Sequence, residues 1–63
     1  MNDLLTIDDV MDRTTLGRST IYAMMKAGTF PKQLHLSERK SRWTNDDINA
    51  WIQSKIDERD HSM

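Results

Sequence analysis

The chain has 63 residues, a net charge of −1 and no cysteine. This length predicts one small domain, and the lack of cysteine excludes disulfides and thiolate metal sites. No apolar run approaches the roughly 20 residues that span a bilayer, and no secretory signal is visible. We therefore expect a single cytoplasmic domain with no membrane association.

Charge is distributed unevenly along the chain. Residues 1–12 carry four aspartates and no base, and residues 44–63 have a net charge of −3. Residues 13–43 carry seven Lys and Arg against a single Glu, a net charge of +6. Because salt screens interactions beyond about 8–10 Å, this local excess matters more than the overall charge. The basic middle segment favours an anionic partner. The alternative is that these charges only form a solvated surface.

The first predicted helix runs from about Ile7 to Thr14. Thr6 at the N-cap and Asp9 at N3 form a capping-box pattern. Leu5 and Val10 occupy the positions of a hydrophobic staple around this start. The sequence therefore marks the beginning of this helix twice.

The second predicted helix follows Gly17 and begins with Arg18-Ser19-Thr20, without an acid. First-turn carboxylates stabilise helices by roughly 0.3–1 kcal/mol, and a start without them can accept an external phosphate. The alternative is a tolerated weak cap. Gly28 is placed to end the helix, with Pro31 beyond it. The short turn at residues 15–17 makes the two helices a helix-turn-helix.

A hairpin is predicted between the second and third helices. Leu34 and Leu36 alternate with polar residues, residues 37–40 are turn material, and residues 41–43 can return as a second strand. A two-stranded hairpin alone is marginal. We expect it to pack on the helices through Leu34, Leu36 and Trp43, with help from Phe30.

The third predicted helix has Thr44 as its N-cap and Asp47 at N3, and it runs to about Asp57. The elements together predict a mainly α fold with a small β-hairpin: a winged helix-turn-helix of three helices and a two-stranded wing. The domain is expected over residues 1–58, with a frayed tail over residues 59–63. The apolar stripe of the third helix comprises Ile48, Trp51, Ile52 and Ile56.

Several short runs within residues 4–52 carry a family resemblance. The most specific are residues 18–22 (RSTIY), Gly28 and the pair at residues 30–31 (FP), supported by residues 42–43 and 48–52. The chain resembles the AlpA family of prophage regulatory proteins and related small phage excisionases. Their helices are similar to the winged helix-turn-helix domain of MerR-type regulators.

This resemblance implies a sequence-specific double-stranded DNA-binding protein of a phage or prophage. It would act as a transcriptional regulator at an integrase promoter, or as an excisionase (a recombination directionality factor) at an attachment site. Two positions depart from the family pattern. Gly17 stands where members often have Ser, and Ala23 stands where many carry a base.

Nine side chains are candidate DNA contacts. Arginine is the commonest reader of guanine edges, and each lysine can neutralise a phosphate. Ser19 and Thr20 are equally well explained as ordinary first-turn residues, and Tyr22 as an aromatic at the core edge. The candidates are Arg18, Ser19, Thr20, Tyr22, Lys26, Lys32, Arg39, Lys40 and Arg42.

Other site classes find little support. His35 and His61 lack further ligands at metal spacing, so we expect no metal and no cofactor. Asp8 and Asp12 share a helix face without an accompanying base, and they are interpreted as acids that favour the helix dipole. We expect no catalytic residues, and we interpret Trp43 and Trp51 as structural.

Two partner hypotheses remain at this point. The first is double-stranded DNA, bound cooperatively by several copies because one small domain offers few base contacts, with integrase as a second candidate partner. The alternative is a protein-interaction module that inhibits an acidic regulatory partner. The same basic surface would serve either role.

Overall fold

A computed structural model describes residues 4–61, which fold as a winged helix-turn-helix. The three strands form one antiparallel sheet in the order β1-β3-β2. The mainly helical architecture with a small wing confirms the predicted fold class. The helices are α1 (Ile7–Thr14), α2 (Arg18–Ala27) and α3 (Asn45–His61). The strands are β1 (Leu4–Leu5), β2 (Leu34–His35) and β3 (Ser41–Thr44).

The helix starts follow the predicted capping pattern. The Thr6 amide donates to Asp9 Oδ2 at 3.0 Å, and the Asp9 amide donates to Thr6 Oγ1 at 3.1 Å. At α3, the Asp47 amide donates to Thr44 Oγ1 at 3.0 Å. At α2, Gly17 is the N-cap and makes no side-chain cap bond. The sequence thus distinguishes correctly between two self-capped helices and one that is not.

Two left-handed residues end α1 and α2. Gly28 has a φ of 81°, as its predicted place after α2 requires. Thr15 has a φ of 60° at the end of α1, and its amide donates to the Met11 carbonyl at 2.7 Å. A left-handed conformation is uncommon for a β-branched residue, so residue type alone does not reveal this turn.

The core takes one apolar side chain from each helix, one from β3 and one from the segment after α2. Each is at most 4% exposed, and none carries a charge. Leu16, Met24 and Met25 pack partly buried against this cluster. The core residues are Val10 in α1, Ile21 in α2, Phe30 in the following segment, Trp43 in β3 and Ile48 in α3.

Aromatic contacts fix the segment that leads from α2 into the wing. The Phe30 ring lies against Trp51 with centroids 4.8 Å apart, and edge-on to Trp43 at 6.3 Å. The Trp43 indole N–H donates to the Pro31 carbonyl at 2.8 Å, and the Trp51 N–H donates to the Thr29 carbonyl at 2.8 Å. Both tryptophans are therefore structural, as predicted, and they hold the wing at a defined place beside α2.

The sheet has one strand more than the sequence predicts. In β1, Leu4 pairs with Thr44 and Leu5 pairs with Trp43. A two-residue strand is too short to show alternation, so only its pairing with β3 reveals it. The wing is consequently joined to the start of α1 by the sheet.

The prediction that Leu34 and Leu36 pack on the helices is wrong, because these side chains are 43% and 52% exposed. In the register, Leu34 pairs with Arg42, the neighbour of buried Trp43. Successive residues of a strand point to opposite faces, so Leu34 lies on the outer face. Trp43 and Phe30 alone supply the predicted contact with the core.

Helix α3 continues four residues past the predicted end at Asp57. Residues 59–61, which the sequence analysis places in a frayed tail, are helical; residues 62–63 lie outside the described residues. No Gly or Pro interrupts this stretch. Lys55 pairs with Glu58 at 3.1 Å and Gln53 bonds Asp57 at 3.1 Å. Such pairs three and four residues apart favour continued helix.

Candidate nucleic-acid interface

Helix α2 presents a polar face to solvent. Ile21 is completely buried, whereas Ser19, Thr20, Ala23 and Lys26 are exposed. This division follows from the helical period, which sets residue 21 on the opposite arc from residues 19, 23 and 26. The exposed arc agrees with the arc predicted from the sequence.

A cleft of about 460 Å³ separates α2 from the wing. Lys26 comes from α2, and Lys32 comes from the segment before β2, so the two lysines belong to opposite walls. The Gln33 amide donates to the Tyr22 hydroxyl across the cleft at 3.4 Å. The lining residues are Tyr22, Met25, Lys26, Lys32, Gln33 and His35.

A second hollow of about 250 Å³ continues this surface toward β3 and the start of α1. Tyr22 and Gln33 border both hollows, so the surface is continuous from α2 to the wing. The second hollow is lined by Thr6, Ile7, Tyr22, Gln33, Arg39, Ser41 and Arg42.

Most cations of this surface have no acidic partner within the described residues 4–61. Lys26, Lys32, Arg39 and Lys40 are exposed, and none of them forms an ion pair there. A cation that the fold does not neutralise keeps its full charge for an external anion. These four are among the predicted DNA contacts, and the structure leaves their charges available.

Arg42 differs from the other predicted contacts because it is half-buried and engaged. Its Nη1 donates to the Ser41 carbonyl at 2.8 Å. Hydrogen bonds with Thr6, first from its backbone N–H and then with its side chain, hold the pKa of Asp9 below its usual value of 3.8, and the charge of Arg42 lowers this pKa further. Arg42 therefore interacts electrostatically with Asp9 of α1.

Arg39 and Lys40 lie in the tight turn at the tip of the wing. The Leu36 amide donates to the Lys40 carbonyl at 2.8 Å, and Ser37 and Lys40 exchange two longer backbone bonds of 3.4 Å. The turn is closed by its backbone, which leaves both cationic side chains exposed at the tip.

Arg18, at the first position of α2, has a partner that the sequence analysis did not foresee. Its Nη2 lies 3.3 Å from Asp8 Oδ1 of α1, and the two side chains are 58% and 79% exposed. The sequence interpretation gave Asp8 only a role toward its own helix. Ten positions separate the two residues, and only the angle between α1 and α2 brings them together.

The sequence analysis also missed other polar residues of the surface, among them Gln33, His35 and Ser41. His35 Nδ1 lies 3.0 Å from Ser41 Oγ, and the two residues pair directly in the sheet. A signal for His35 was present in the sequence. Alternation puts His35 on the face opposite Leu34, but without a known register the leucine looked like the buried residue.

Metal and membrane sites find no support among residues 4–61. Within this range, no three His, Asp or Glu side chains gather so that they could hold a metal ion. Nor does any helix in the same range have the length and apolar character needed to cross a membrane.

Comparison with known proteins decides the family. Residues 3–56 match the family described as "Prophage CP4-57 regulatory protein (AlpA)". The chain belongs to this family. The match confirms the resemblance found in the sequence, and the description of the AlpA family is that of a regulatory protein rather than of an enzyme.

A phage relative supports the same assignment. The AlpA-family chain is 35% identical over 52 residues to "Uncharacterized protein ORF88" of Enterobacteria phage P4. The alignment covers 82% of this chain and 59% of the phage protein, so the chain spans little more than half the length of that relative. No solved structure matches the chain.

Proposed function

We propose that this AlpA-family chain binds double-stranded DNA of a phage or prophage and regulates an integrase promoter or directs excision at an attachment site. The observation that carries this proposal is the cleft between α2 and the wing. Lys26 and Lys32 stand on its two walls, and neither has an ion-pair partner within residues 4–61. Membership of a prophage regulatory family supports the choice of DNA as the anion.

The proposed docking mode follows from the positions of these elements. The second helix of a helix-turn-helix enters the major groove, with its N-terminal residues against base edges. In this arrangement Arg18, Ser19 and Thr20 face the bases. The sugar-phosphate backbone bordering the groove then lies across the mouth of the cleft, with Lys26 and Lys32 on either side and the Tyr22 hydroxyl beneath it.

The wing contributes cations on the far side of this backbone. Arg39 and Lys40 are exposed at its tip and reach the adjacent minor groove, where cationic side chains are commonly inserted. Arg42 contributes less in this proposal, because it is half-buried and already donates to a carbonyl.

A single copy offers few base contacts, so one copy alone should bind DNA weakly. We propose that several copies bind tandem sites cooperatively, with integrase as a further partner at an attachment site. Promoter activation and excision require the same DNA-binding surface. The location of the bound site on the phage DNA therefore distinguishes the two functions. Binding upstream of the integrase gene indicates activation, and binding within the attachment site indicates excision.

Fluorescence anisotropy with labelled duplexes tests the proposal. The duplexes tile the integrase promoter and the attachment site of the parent phage or prophage, with an unrelated duplex of equal length as control. We expect one or a few fragments to bind at least 1,000-fold more tightly than the control. Affinity should also fall steeply with salt, because several phosphates are neutralised.

The same experiment can overturn the proposal. Absence of binding to every duplex, even at about 50 mM salt where phosphate contacts are strong, would contradict DNA binding. It would favour the protein-interaction hypothesis, in which the basic surface binds an acidic partner. Equal weak binding to all fragments would contradict sequence-specific regulation.

A further inference from the structure

We propose that Asp8 is a specificity-determining residue of the DNA-binding surface and that it acts by positioning Arg18. This inference rests on the function proposed above. It starts from the ion pair between α1 and α2, in which Asp8 Oδ1 lies 3.3 Å from Arg18 Nη2. Helix α2 has no acid in its own first turn, and Asp8 of α1 is the acid that contacts its first residue.

The geometry of the pair leaves Arg18 able to read a base. A guanidinium has five N–H donors, and the contact with Asp8 involves the single nitrogen Nη2. The Arg18 side chain is 58% exposed, and within residues 4–61 its one side-chain hydrogen bond or ion pair is the contact with Asp8. Reading guanine requires two N–H donors. Nη2 carries two of the five N–H groups, so Asp8 can accept from one of them while the other, together with a second guanidinium nitrogen, contacts a base.

The charge of Asp8 also affects which DNA group Arg18 binds. Its side chain is 79% exposed beside the first residue of α2, so it places a negative charge on the surface that faces DNA. Phosphates supply affinity that does not depend on sequence, and this charge repels them. The correct site carries the same phosphates as unrelated DNA, so Asp8 favours the correct site only through Arg18, which it holds toward a base. On unrelated DNA, the pair with Asp8 competes with the phosphate that Arg18 would otherwise bind.

The test compares Asp8→Asn with Asp12→Asn. Both variants remove one negative charge from an exposed position of α1. Of these two aspartates, only Asp8 forms an ion pair within residues 4–61. We expect Asp8→Asn to bind an unrelated duplex about five-fold more tightly, the effect of one unit charge at about 4 Å in water. The ratio of specific to unrelated affinity should fall by a similar factor. Asp12→Asn should change both quantities less than two-fold.

A double-mutant cycle shows whether Asp8 acts through Arg18. In an Arg18→Ala background, Asp8→Asn should no longer change the ratio of specific to unrelated affinity. An unchanged loss of the ratio in that background would overturn the positioning role. Thermal unfolding serves as the folding control, since an exposed ion pair of this kind contributes little to stability.

Failure of this inference can be distinguished from failure of the proposed function. If the wild-type chain binds no duplex, the proposed function fails and the role of Asp8 fails with it. If the wild type binds DNA but Asp8→Asn behaves like Asp12→Asn, or weakens binding to every duplex, only the role of Asp8 is overturned.

Discussion

The surface formed by α2 and the wing differs from the surface formed by α1 and α3 in how far its basic side chains are paired with other side chains. On the α1–α3 side, Arg13 donates to Asn45 and Asn49, and Lys55 and Arg59 each pair with an acid of α3. On the α2–wing side, Lys26 and Lys32 have no such partner within residues 4–61. The comparison shows that position relative to other side chains, and not residue type, decides which cations remain available to a ligand.

The largest expected effect comes from removing the unpaired cations. We expect Lys26→Ala/Lys32→Ala to weaken binding to the specific duplex by roughly ten- to a hundred-fold and to reduce the slope of log affinity against log salt by about 2. The matched control is Lys55→Ala/Arg59→Ala, which removes two cations from the other surface. Equal losses in both double variants, measured by anisotropy over a salt series, would contradict the distinction between the two surfaces.

The next effect concerns stability and not binding. Arg13 joins the end of α1 to the first turns of α3 through two hydrogen bonds. Because the site is exposed, we expect Arg13→Ala to lower the free energy of unfolding by about 1 kcal/mol. Arg59→Ala should change it little, since its partner is the adjacent residue Asp60. Urea denaturation measures both, and a marked fall in DNA affinity for folded Arg13→Ala would place Arg13 on the binding surface instead.

The start of α1 provides a test by pH. Hydrogen bonding from Thr6 lowers the pKa of Asp9 in the folded chain below the ordinary value of 3.8. The stabilisation is therefore fully present above pH 3.8 and is lost as the pH falls through the lower, folded-state pKa. Asp9→Asn should be less stable than wild type near pH 7, and the difference should shrink in acid.

The control for this pH effect is Asp12→Asn, on the same helix. Thermal unfolding between about pH 7 and pH 2 should show no comparable convergence for that variant. If Asp9→Asn and wild type keep a constant difference in stability over the whole range, the capping box does not depend on the ionised carboxylate.

The smallest expected effect concerns the uncapped start of α2. Gly17 has a φ of −73°, and a Cβ built there meets no atom within 4 Å, so a small side chain can be added without strain. Gly17→Ser should add a cap bond and raise the free energy of unfolding by about 0.3 kcal/mol. Gly17→Ala lacks the hydroxyl and serves as the control. Equal unfolding free energies for the two variants would show that the cap bond does not form.

The sequence-based predictions were correct where the interacting residues lie close together in the chain, and they failed where the residues lie far apart. The capping of α1 by Thr6 and Asp9 was predictable because the partners are three residues apart. The positions of Leu34 and Leu36 were not, because the buried face of β2 depends on its register with β3. Alternation reveals that a strand has two faces but does not reveal which one is covered.

The candidate site shows the same division. The exposed cations on α2 and in the wing were predictable from the helical period and from the polar turn. The partner of Arg18 was not, because Asp8 lies ten positions away and on another helix. His35 was missed for the same reason as the leucines, since its face was assigned only when β2 paired with β3.

The sequence by itself determined the helix starts, the glycine that ends α2, the helix-turn-helix layout, the family, and the segment that carries the basic residues. These features depend on residues close together in the chain, where backbone geometry fixes their spacing. Only the tertiary structure decided which cations were neutralised, which face of the wing met solvent, and that Asp8 meets Arg18. Those outcomes depend on how helices and strands pack, and packing brings together residues whose separation along the chain carries no signal.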